Sequence, residues 1–340
     1  MNKARSQNLT GHPTSIPDLR RAGAPTHAST HGEAAPGIES TLYICPLCEK
    51  STVSRAIRFE GTTVRFCSSC GAAAVVEIAA KALYEKSADD YSTRYTSELL
   101  ASKALACWGL VQDYVESQPV AQSLLDVGCG EGAFLELAKR AGLRTTGIDI
   151  SSRAAHAAAQ KGHKIFCSPV DEPPYPSDER FDIITMWDIL EHLRQPLQAL
   201  RYVFASLAPG GRLFILTPMM GSVYDRWGIR LHQLSAGRCN QLLRMCWDQN
   251  HLFRFSPAGT QRVLHSIGFA KVSITPILLL SLRADRYAGG NILQSWTGIP
   301  IFDKFISRAG VRLAKLCGLS NKLFIVAERG AADVWRSEMS

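Results

Sequence analysis

The chain has 340 residues and a mass of 37.2 kDa, which is more than one small module and predicts a main domain with smaller additions. Hydrophobic residues make up 46% and charged residues 20%, a globular composition, and no apolar run reaches the roughly 18 residues of a membrane-spanning helix. The net charge of +8 points to an anionic partner without locating the charge. Ten cysteines without a secretory signal favour a reducing compartment. We therefore expect a soluble, cytoplasmic protein.

The amino-terminal segment 1–40 is dominated by Ser, Thr, Pro, Gly, Ala and His, and it shows no core-forming pattern. Such a segment buries too little apolar surface to offset its ordering entropy, so we expect a disordered tail.

Two pairs of cysteines follow this tail. Cys45 with Cys48 and Cys67 with Cys70 give the pattern C-x2-C-x18-C-x2-C, which is typical of a zinc ribbon, here predicted over 41–80. The alternative is four unligated structural or redox cysteines. Because protein side chains would fill all four coordination positions, the predicted Zn²⁺ is structural and not catalytic.

A glycine-rich turn marks the start of the main domain. Apolar residues at helical spacing predict a helix over 81–118, ending before Pro119, within a connector segment 81–120. An apolar strand, a turn and a helix come next. The turn contains Gly128, Gly130 and Gly132, and its context also fits the dinucleotide-binding fingerprint.

Two carboxylates at the ends of strands are candidate contacts of a bound nucleotide. Asp126 ends the first strand, where it would face the cationic end of a ligand but would repel a pyrophosphate on the helix amino terminus. Asp149 ends the second strand, 21 residues after Gly128, in a position suited to ribose hydroxyls. Both nucleotide classes would use Asp149, so it is Asp126 that argues against a dinucleotide.

Four motifs in order carry a resemblance to a known family. They are LLDVGCGEG, GIDIS, FDIITMWDILEHL and LAPGGRLFILTP, the last of which includes a Pro-Gly-Gly turn before its strand. Over residues 120 to 275 the chain resembles the class I S-adenosylmethionine-dependent methyltransferases, in the subgroup of the ubiquinone-biosynthesis O-methyltransferases. The resemblance implies an α/β fold with a Rossmann-like seven-stranded sheet and helices on both faces, in a domain over 121–340, with the zinc ribbon as an addition.

The resemblance also implies a set of cofactor-binding residues. In it, the glycines let the backbone approach the amino-acid end of S-adenosyl-L-methionine, Asp149 bonds the ribose and Ile150 packs on adenine. Many relatives carry an acid after the third strand to hold the adenine amino group, whereas this chain has Ser168 there, which puts that contact in doubt. The complete set is Asp126, Gly128, Gly130, Gly132, Asp149, Ile150, Met186 and Trp187.

Two histidines are candidates for the catalytic base. Methyl transfer to a hydroxyl or a carbon acid needs a group that removes the proton, and histidine suits that task near neutral pH. His192 follows the fourth strand, at the edge where ligands bind in such sheets. His251 precedes a helix predicted to be capped by Ser256 with Pro257 in its first turn. A packing or capping role is the alternative for both.

The carboxyl-terminal third carries the excess charge. Residues 221–340 contain 16 basic and seven acidic residues, and five arginines are predicted near the acceptor entrance. The segments 219–250 and 278–320 are predicted to cap the substrate site, and 299–317 reads as a basic amphipathic helix that leaves peripheral membrane contact open. The five arginines are Arg226, Arg230, Arg238, Arg244 and Arg254.

These features predict a methyltransferase that acts on an oxygen or a carbon of a small or lipid-like acceptor. The excess of basic residues favours an acceptor that carries an anionic group. The alternative is an RNA or protein methyltransferase that uses the ribbon for recognition. Nucleic acid is the less favoured partner because residues 41–120 hold eight basic and nine acidic residues. The oligomeric state stays open.

Overall fold

The computed structural model describes residues 41–77, 97–117, 123–170, 179–247, 251–277 and 320–331. The predicted tail, the first part of the connector and the predicted amphipathic helix over 299–317 lie outside the described residues. The predicted domain boundaries remain a prediction. Among the described helices, none is long and apolar enough to cross a membrane.

The main domain is built on a seven-stranded sheet, as the sequence predicted. Its strand order is β11-β12-β9-β8-β5-β6-β7, with β12 antiparallel to both of its neighbours and β5 to β9 parallel. The strands are β5 (Ser123–Val127), β6 (Arg144–Asp149), β7 (Lys164–Cys167), β8 (Phe181–Trp187), β9 (Leu207–Pro218), β11 (Phe269–Ile277) and β12 (Lys322–Arg329).

Helices cover both faces of this sheet because its central strands are apolar on both sides. Leu124 and Leu125 are adjacent and fully buried, yet they belong to different core layers. The helices are α1 (Ser97–Trp108), α2 (Gln112–Ser117), α3 (Ala133–Arg140), α4 (Ser152–Gln160), α5 (Pro196–Ser206), α6 (Val223–Leu234), α7 (Gln241–Cys246) and α8 (Pro257–Ile267). The layer of α1, α2 and α3 contains Leu124, and the layer of α5 and α8 contains Leu125.

Two local predictions need correction. The described part of the connector is not one helix, because α1 ends at Trp108 and α2 begins at Gln112, with Gly109, a poor helix former, at the break. The predicted Pro-Gly-Gly turn lies inside β9, where the pairing with β8 jumps from Leu207 to Arg212. The turn is therefore an irregularity within one strand.

The ribbon forms a second sheet with the order β1-β2-β3-β4-β10. Its first four strands belong to the cysteine region, but the last one comes from the main domain. The strands are β1 (Thr41–Ile44), β2 (Ser51–Phe59), β3 (Thr62–Phe66), β4 (Ala73–Glu77) and β10 (Phe253–Arg254). The two cysteine pairs lie in the turns after β1 and after β3. Residues of the ribbon join the core layer that contains α5 and α8.

Candidate active site and zinc site

The glycine turn after β5 depends on backbone conformations that favour glycine. Gly128, Gly130 and Gly132 have φ angles of 75°, 53° and 80°. A Cβ on Gly128 would lie 2.1 Å from Ile189 Cδ1, whereas a Cβ on Gly130 would meet no atom of the described residues within 4 Å. The turn therefore packs closely against the segment after β8 at one glycine and leaves an open cradle at another.

Asp149 ties the end of β6 to this turn. Its Oδ2 accepts a hydrogen bond from Gly130 N at 2.7 Å, and its Oδ1 accepts one from Ser151 N at 2.9 Å. A carboxylate has about four acceptor positions, so further hydrogen bonds from a ligand hydroxyl can be accommodated. The neighbouring Ile150 is 61% exposed, a large apolar side chain at the rim of the cradle. Ser168 N donates to the Asp149 carbonyl, which places Ser168 at the same rim.

Asp126 is buried beneath the turn. Its Oδ1 accepts a hydrogen bond from Thr185 Oγ1 at 2.7 Å. Burial, with a smaller contribution from the charge of Asp149, raises the pKa of Asp126 to about 7. The carboxyl group therefore changes charge near neutral pH, and a cation beside it would favour the ionised form.

Met186 and Trp187 close the carboxyl end of β8 and belong to opposite core layers. Met186 is fully buried, and the Trp187 ring lies 5.2 Å from the ring of Phe134. Both side chains thus contribute to packing, and a contact with the cofactor remains a prediction for each.

A buried charge cluster surrounds Asp188, the residue directly after β8. Its φ is 56°, in the left-handed region. Lys103 Nζ lies 2.9 Å from Asp188 Oδ2, and Lys322 Nζ contacts Oδ1. Burial opposes ionisation of Asp188, but the two lysines outweigh it and hold its pKa well below the usual range. One carboxylate faces two ammonium groups, which leaves a surplus positive charge.

The two candidate histidines come together next to this cluster. His192 belongs to a short 3₁₀ turn, Leu190–His192, and its ring centroid lies 5.0 Å from that of His251. Glu191, from the same turn, is fully buried and accepts a hydrogen bond from Thr217 Oγ1 at 3.0 Å. Its Oε1 lies 3.9 Å from His251 Nε2. A base candidate and a buried carboxyl group therefore lie side by side.

The surroundings of His251 and Glu191 favour the neutral form of each side chain. Burial, followed by repulsion from His192, lowers the pKa of His251 to about 2. Burial, followed by the charge of Asp188, raises the pKa of Glu191. The contact between Glu191 and His251 is therefore not an ion pair at neutral pH, and the imidazole is neutral but, with so low a pKa, only a weak base.

A divalent cation would be a different occupant of the same place. Glu191, His192 and His251 offer ligand atoms within 4.8 Å of one another. Lys322 acts electrostatically on both Glu191 and His251, however, and its positive charge works against a bound cation. The arrangement therefore disfavours a bound divalent cation.

The four cysteines of the ribbon converge on one point. Cys45 Sγ lies 3.7 Å from Cys70 Sγ, and Cys48 Sγ lies 3.7 Å from Cys67 Sγ. All four sulfur atoms are within 4.8 Å of one another. A tetrahedral Zn²⁺ with bonds of about 2.3 Å places its sulfur ligands about 3.8 Å apart, so the residues fit a zinc ion.

Comparisons with known proteins identify the family. Residues 95–274, more than half of the chain, match the family described as "Methyltransferase domain". The chain belongs to this methyltransferase family. The resemblance to class I S-adenosylmethionine-dependent methyltransferases predicted from the four motifs is confirmed, and so is the α/β fold class.

Curated relatives of this methyltransferase include ubiquinone biosynthesis O-methyltransferases. The one from Aeromonas salmonicida is 32% identical over 100 residues, 28% of this chain and 42% of the relative. The one from Coxiella burnetii is 35% identical over 111 residues, 31% of this chain and 47% of the relative. The matches thus span less than half the length of these relatives.

Solved structures with a similar fold include two other methyltransferases. A SAM-dependent methyltransferase from Archaeoglobus fulgidus is 18% identical and has a TM-score of 0.44, covering 66% of this chain and 94% of that protein. Phosphoethanolamine N-methyltransferase 2 from Haemonchus contortus is 14% identical and has a TM-score of 0.46, covering 76% of this chain and 62% of that protein.

Two of the arginines predicted near the acceptor entrance have structural contacts in this methyltransferase. Arg254 is buried, its Nε lies 3.1 Å from Asp225 Oδ1, and it donates to the Met219 and Cys246 carbonyls at 2.7 Å each. Arg244 pairs with Glu60 of the ribbon. Arg254 therefore anchors the insertion that carries α6 and α7, and Arg244 joins that insertion to the ribbon.

Sequence reasoning missed the charge cluster of the methyltransferase. Lys103 and Lys322 lie in α1 and β12, outside the four motifs, and are 219 positions apart in the chain. Asp188 and Glu191 lie within the motif FDIITMWDILEHL. Their position just after an apolar strand is the sequence signal that could have identified them as site residues.

Proposed function

We propose that the protein transfers a methyl group from S-adenosylmethionine to an oxygen or carbon of a small or lipid-like acceptor. The observation that carries this proposal is the convergence of His192 and His251 at the end of β8, next to the glycine turn. Ile189, which directly precedes the 3₁₀ turn of His192, packs on Gly128. This contact supports the proposal that the cofactor and the acceptor bind next to each other.

The residues of the turn would hold the cofactor, which supplies an activated methyl group on a sulfonium. Gly128, Gly130 and Gly132 let the backbone approach it, and Asp149 accepts hydrogen bonds from the ribose. Ile150 offers an apolar face to the adenine. Asp126 provides a negative charge toward the cationic end when it is ionised.

His251 would remove the acceptor's proton. Its ring is neutral and half-buried, and Nε2 is turned toward Glu191. Nδ1 is then the nitrogen that we expect to take the proton of the acceptor hydroxyl or carbon acid, with the developing negative charge of the acceptor raising the pKa of the imidazole from its low value. Glu191, held by Thr217, would fix the orientation of the imidazole.

The charge around Asp188 supports an acidic acceptor. Lys103 and Lys322 carry two positive charges against one negative charge, in a poorly solvated place. A surplus positive charge stabilises a developing phenolate, enolate or carboxylate nearby. This supports an acceptor with an ionisable oxygen.

The four cysteines of the ribbon would bind a structural Zn²⁺. Their sulfur spacing supports this, and no ligand position remains for a substrate. Residues 41–77 contain four basic and three acidic residues, so the ribbon carries little net charge. An RNA or protein acceptor is therefore the less supported alternative.

Cofactor affinity is expected to rise with pH between about pH 6 and 7.5. The pKa of Asp126 is raised to about 7 in the free protein, and the positive charge of the cofactor lowers it again, so binding releases a proton. Release of this proton is easier at higher pH, so the affinity for the cofactor rises with pH. Calorimetry at several pH values measures the dissociation constant. Asp126→Asn should remove the slope, and a wild-type affinity that stays flat over this range would contradict the role of Asp126.

The acceptor class can be tested directly. Purified protein with labelled S-adenosylmethionine is incubated with catechols and phenols, with a lipid extract and with an RNA fraction. We expect label in the phenolic or lipid arm, with none in RNA. Label that enters RNA alone would overturn the small-acceptor proposal in favour of the alternative, and no label in any arm together with no binding of the cofactor would overturn both.

A further inference from the structure

The cysteine ribbon is joined to the candidate base through one strand. β4, which follows Cys70 by three residues, pairs antiparallel with β10, which begins two residues after His251. Ala74 faces Phe253 and Ala73 faces Arg254 in this register. The last strand of the ribbon sheet is therefore the continuation of the segment that carries His251.

Leu252 connects the two parts with its backbone. Its carbonyl accepts a hydrogen bond from Val75 N of the ribbon at 2.9 Å, and its N–H donates to the Glu191 carbonyl at 2.8 Å. One peptide unit away from His251, the chain is thus bonded on one side to the ribbon and on the other to the turn of Glu191 and His192. A shift of β4 would move this residue first.

The second cysteine pair also rests on helix α8. A Cβ on Gly259 would lie 1.6 Å from the Cys70 carbonyl oxygen, so the helix touches the backbone of the pair. Ser256, the cap of α8, donates its hydroxyl to the same carbonyl. Arg262 Nη2 donates to the Ser69 carbonyl at 2.8 Å. Through these three contacts, the second cysteine pair faces the main domain.

The ribbon is also part of the main core. Cys45, Cys67 and Cys70 are at most 3% exposed and pack in one cluster with Phe253, Phe255 and strands of the large sheet. Losing the metal would leave four thiols without their common ligand at the edge of this cluster, next to β4.

From these contacts we propose that the ribbon is a positioning device for the acceptor site, in which the zinc-bound cysteines fix β4, and β4 fixes Leu252 and His251 against Glu191. This inference rests on the proposed role of His251. It assigns positioning roles to Leu252 and Gly259, neither of which touches the reacting atoms. It also gives the ribbon a purpose other than recognition of a macromolecule.

The test compares three variants of the full chain. Cys48→Ser removes one zinc ligand. Gly259→Ala keeps all four cysteines but forces α8 away from Cys70, in a helical position where alanine would otherwise be favoured. Glu49→Gln is the control, because it breaks only the exposed pair of Glu49 with Arg201 between the ribbon and α5. Bound zinc, amide exchange, the His251 ring resonance, turnover and cofactor affinity are measured for each.

We expect Cys48→Ser to lose zinc and Gly259→Ala to retain it. In both, amide exchange at Val75 and Leu252 should rise at least about 10-fold, the His251 resonance should shift, and turnover should fall at least about 10-fold. Cofactor affinity should change less than about twofold, because the contacts that hold the glycine turn come from Ile148, Asp149 and Ile189 of the main domain. Glu49→Gln should match the wild type throughout.

Wild-type exchange at Leu252 and an unshifted His251 resonance in a zinc-free Cys48→Ser protein would overturn the proposal. So would a loss of turnover in Gly259→Ala without those two changes. Exchange and the resonance are read without any acceptor, so the coupling is judged even if the proposed methyl transfer is not found. If Cys48→Ser does not fold, Gly259→Ala decides alone.

Discussion

Replacing His251 by alanine is expected to lower turnover by about 100-fold or more, while the dissociation constant of S-adenosylmethionine stays near the wild-type value. The imidazole is the neutral base candidate in the pocket, and the cofactor cradle is formed by other residues, from β5 to α4. Single-turnover kinetics with the acceptor found in the labelling experiment measure the chemical step, and calorimetry measures the affinity.

The control for this change is His156→Gln, on the exposed face of α4, which should leave turnover unchanged.

His192→Gln should cause a smaller loss of turnover than His251→Ala. It also removes a neighbour whose repulsion, after burial, lowers the pKa of His251, so an acid limb of the rate profile should move to higher pH. Wild-type turnover in both histidine variants would contradict the assignment of the base.

The variant Asp188→Asn is expected to lower the free energy of unfolding by about 3 kcal/mol at neutral pH. It leaves two ammonium groups in a poorly solvated place without their counter-charge. The estimate is at the low end for a broken buried pair, because the Lys103 side chain is 35% exposed. Asparagine tolerates the left-handed backbone of this position, so the loss reports charge and not strain. Urea unfolding measures it.

The pH dependence of this deficit has a definite sign. The pKa of Asp188 is lowered in the folded state, so its contribution is fully present above the unfolded value of 3.8 and is lost as the pH falls below it. The deficit of Asp188→Asn should therefore be constant from neutral pH to about pH 5 and shrink only in stronger acid. The double variant Asp188→Asn with Lys322→Met should recover part of the loss. A single variant as stable as the wild type would show that the lysines find other partners.

Much of the cofactor half could be predicted from the sequence because its signals are local. The turn of Gly128, Gly130 and Gly132 and the acid Asp149 are set by spacings within about 20 residues, and each spacing reflects one strand, turn and helix. Helix α8 begins at Pro257 with Ser256 as its cap, as predicted, because capping involves only neighbouring residues. The prediction of one continuous helix in the connector was wrong, because the chain breaks at Gly109, between α1 and α2.

The acceptor side could be predicted only in part. His192 and His251 were chosen separately, each for its position relative to a strand or a helix, and nothing in the sequence placed them together. Arg254 looked like a free charge near an entrance, but Asp225 and two carbonyls hold it in the interior. Charge sums count residues and do not show which charges are already paired.

By itself, the sequence determined the family, the glycine turn, the acid at the end of β6 and the paired cysteines, because each is encoded in a short spacing along the chain. Only the tertiary structure decided that His192 lies beside His251, that Lys103 and Lys322 flank Asp188, and that Leu252 joins the ribbon to the active site. These contacts link residues far apart in the chain, and they arise from the insertion of β12 beside β9 and of β10 beside β4. The alternation of a strand shows that it lies in a sheet but not which distant segment it pairs with, so these contacts appear only once the chain is folded.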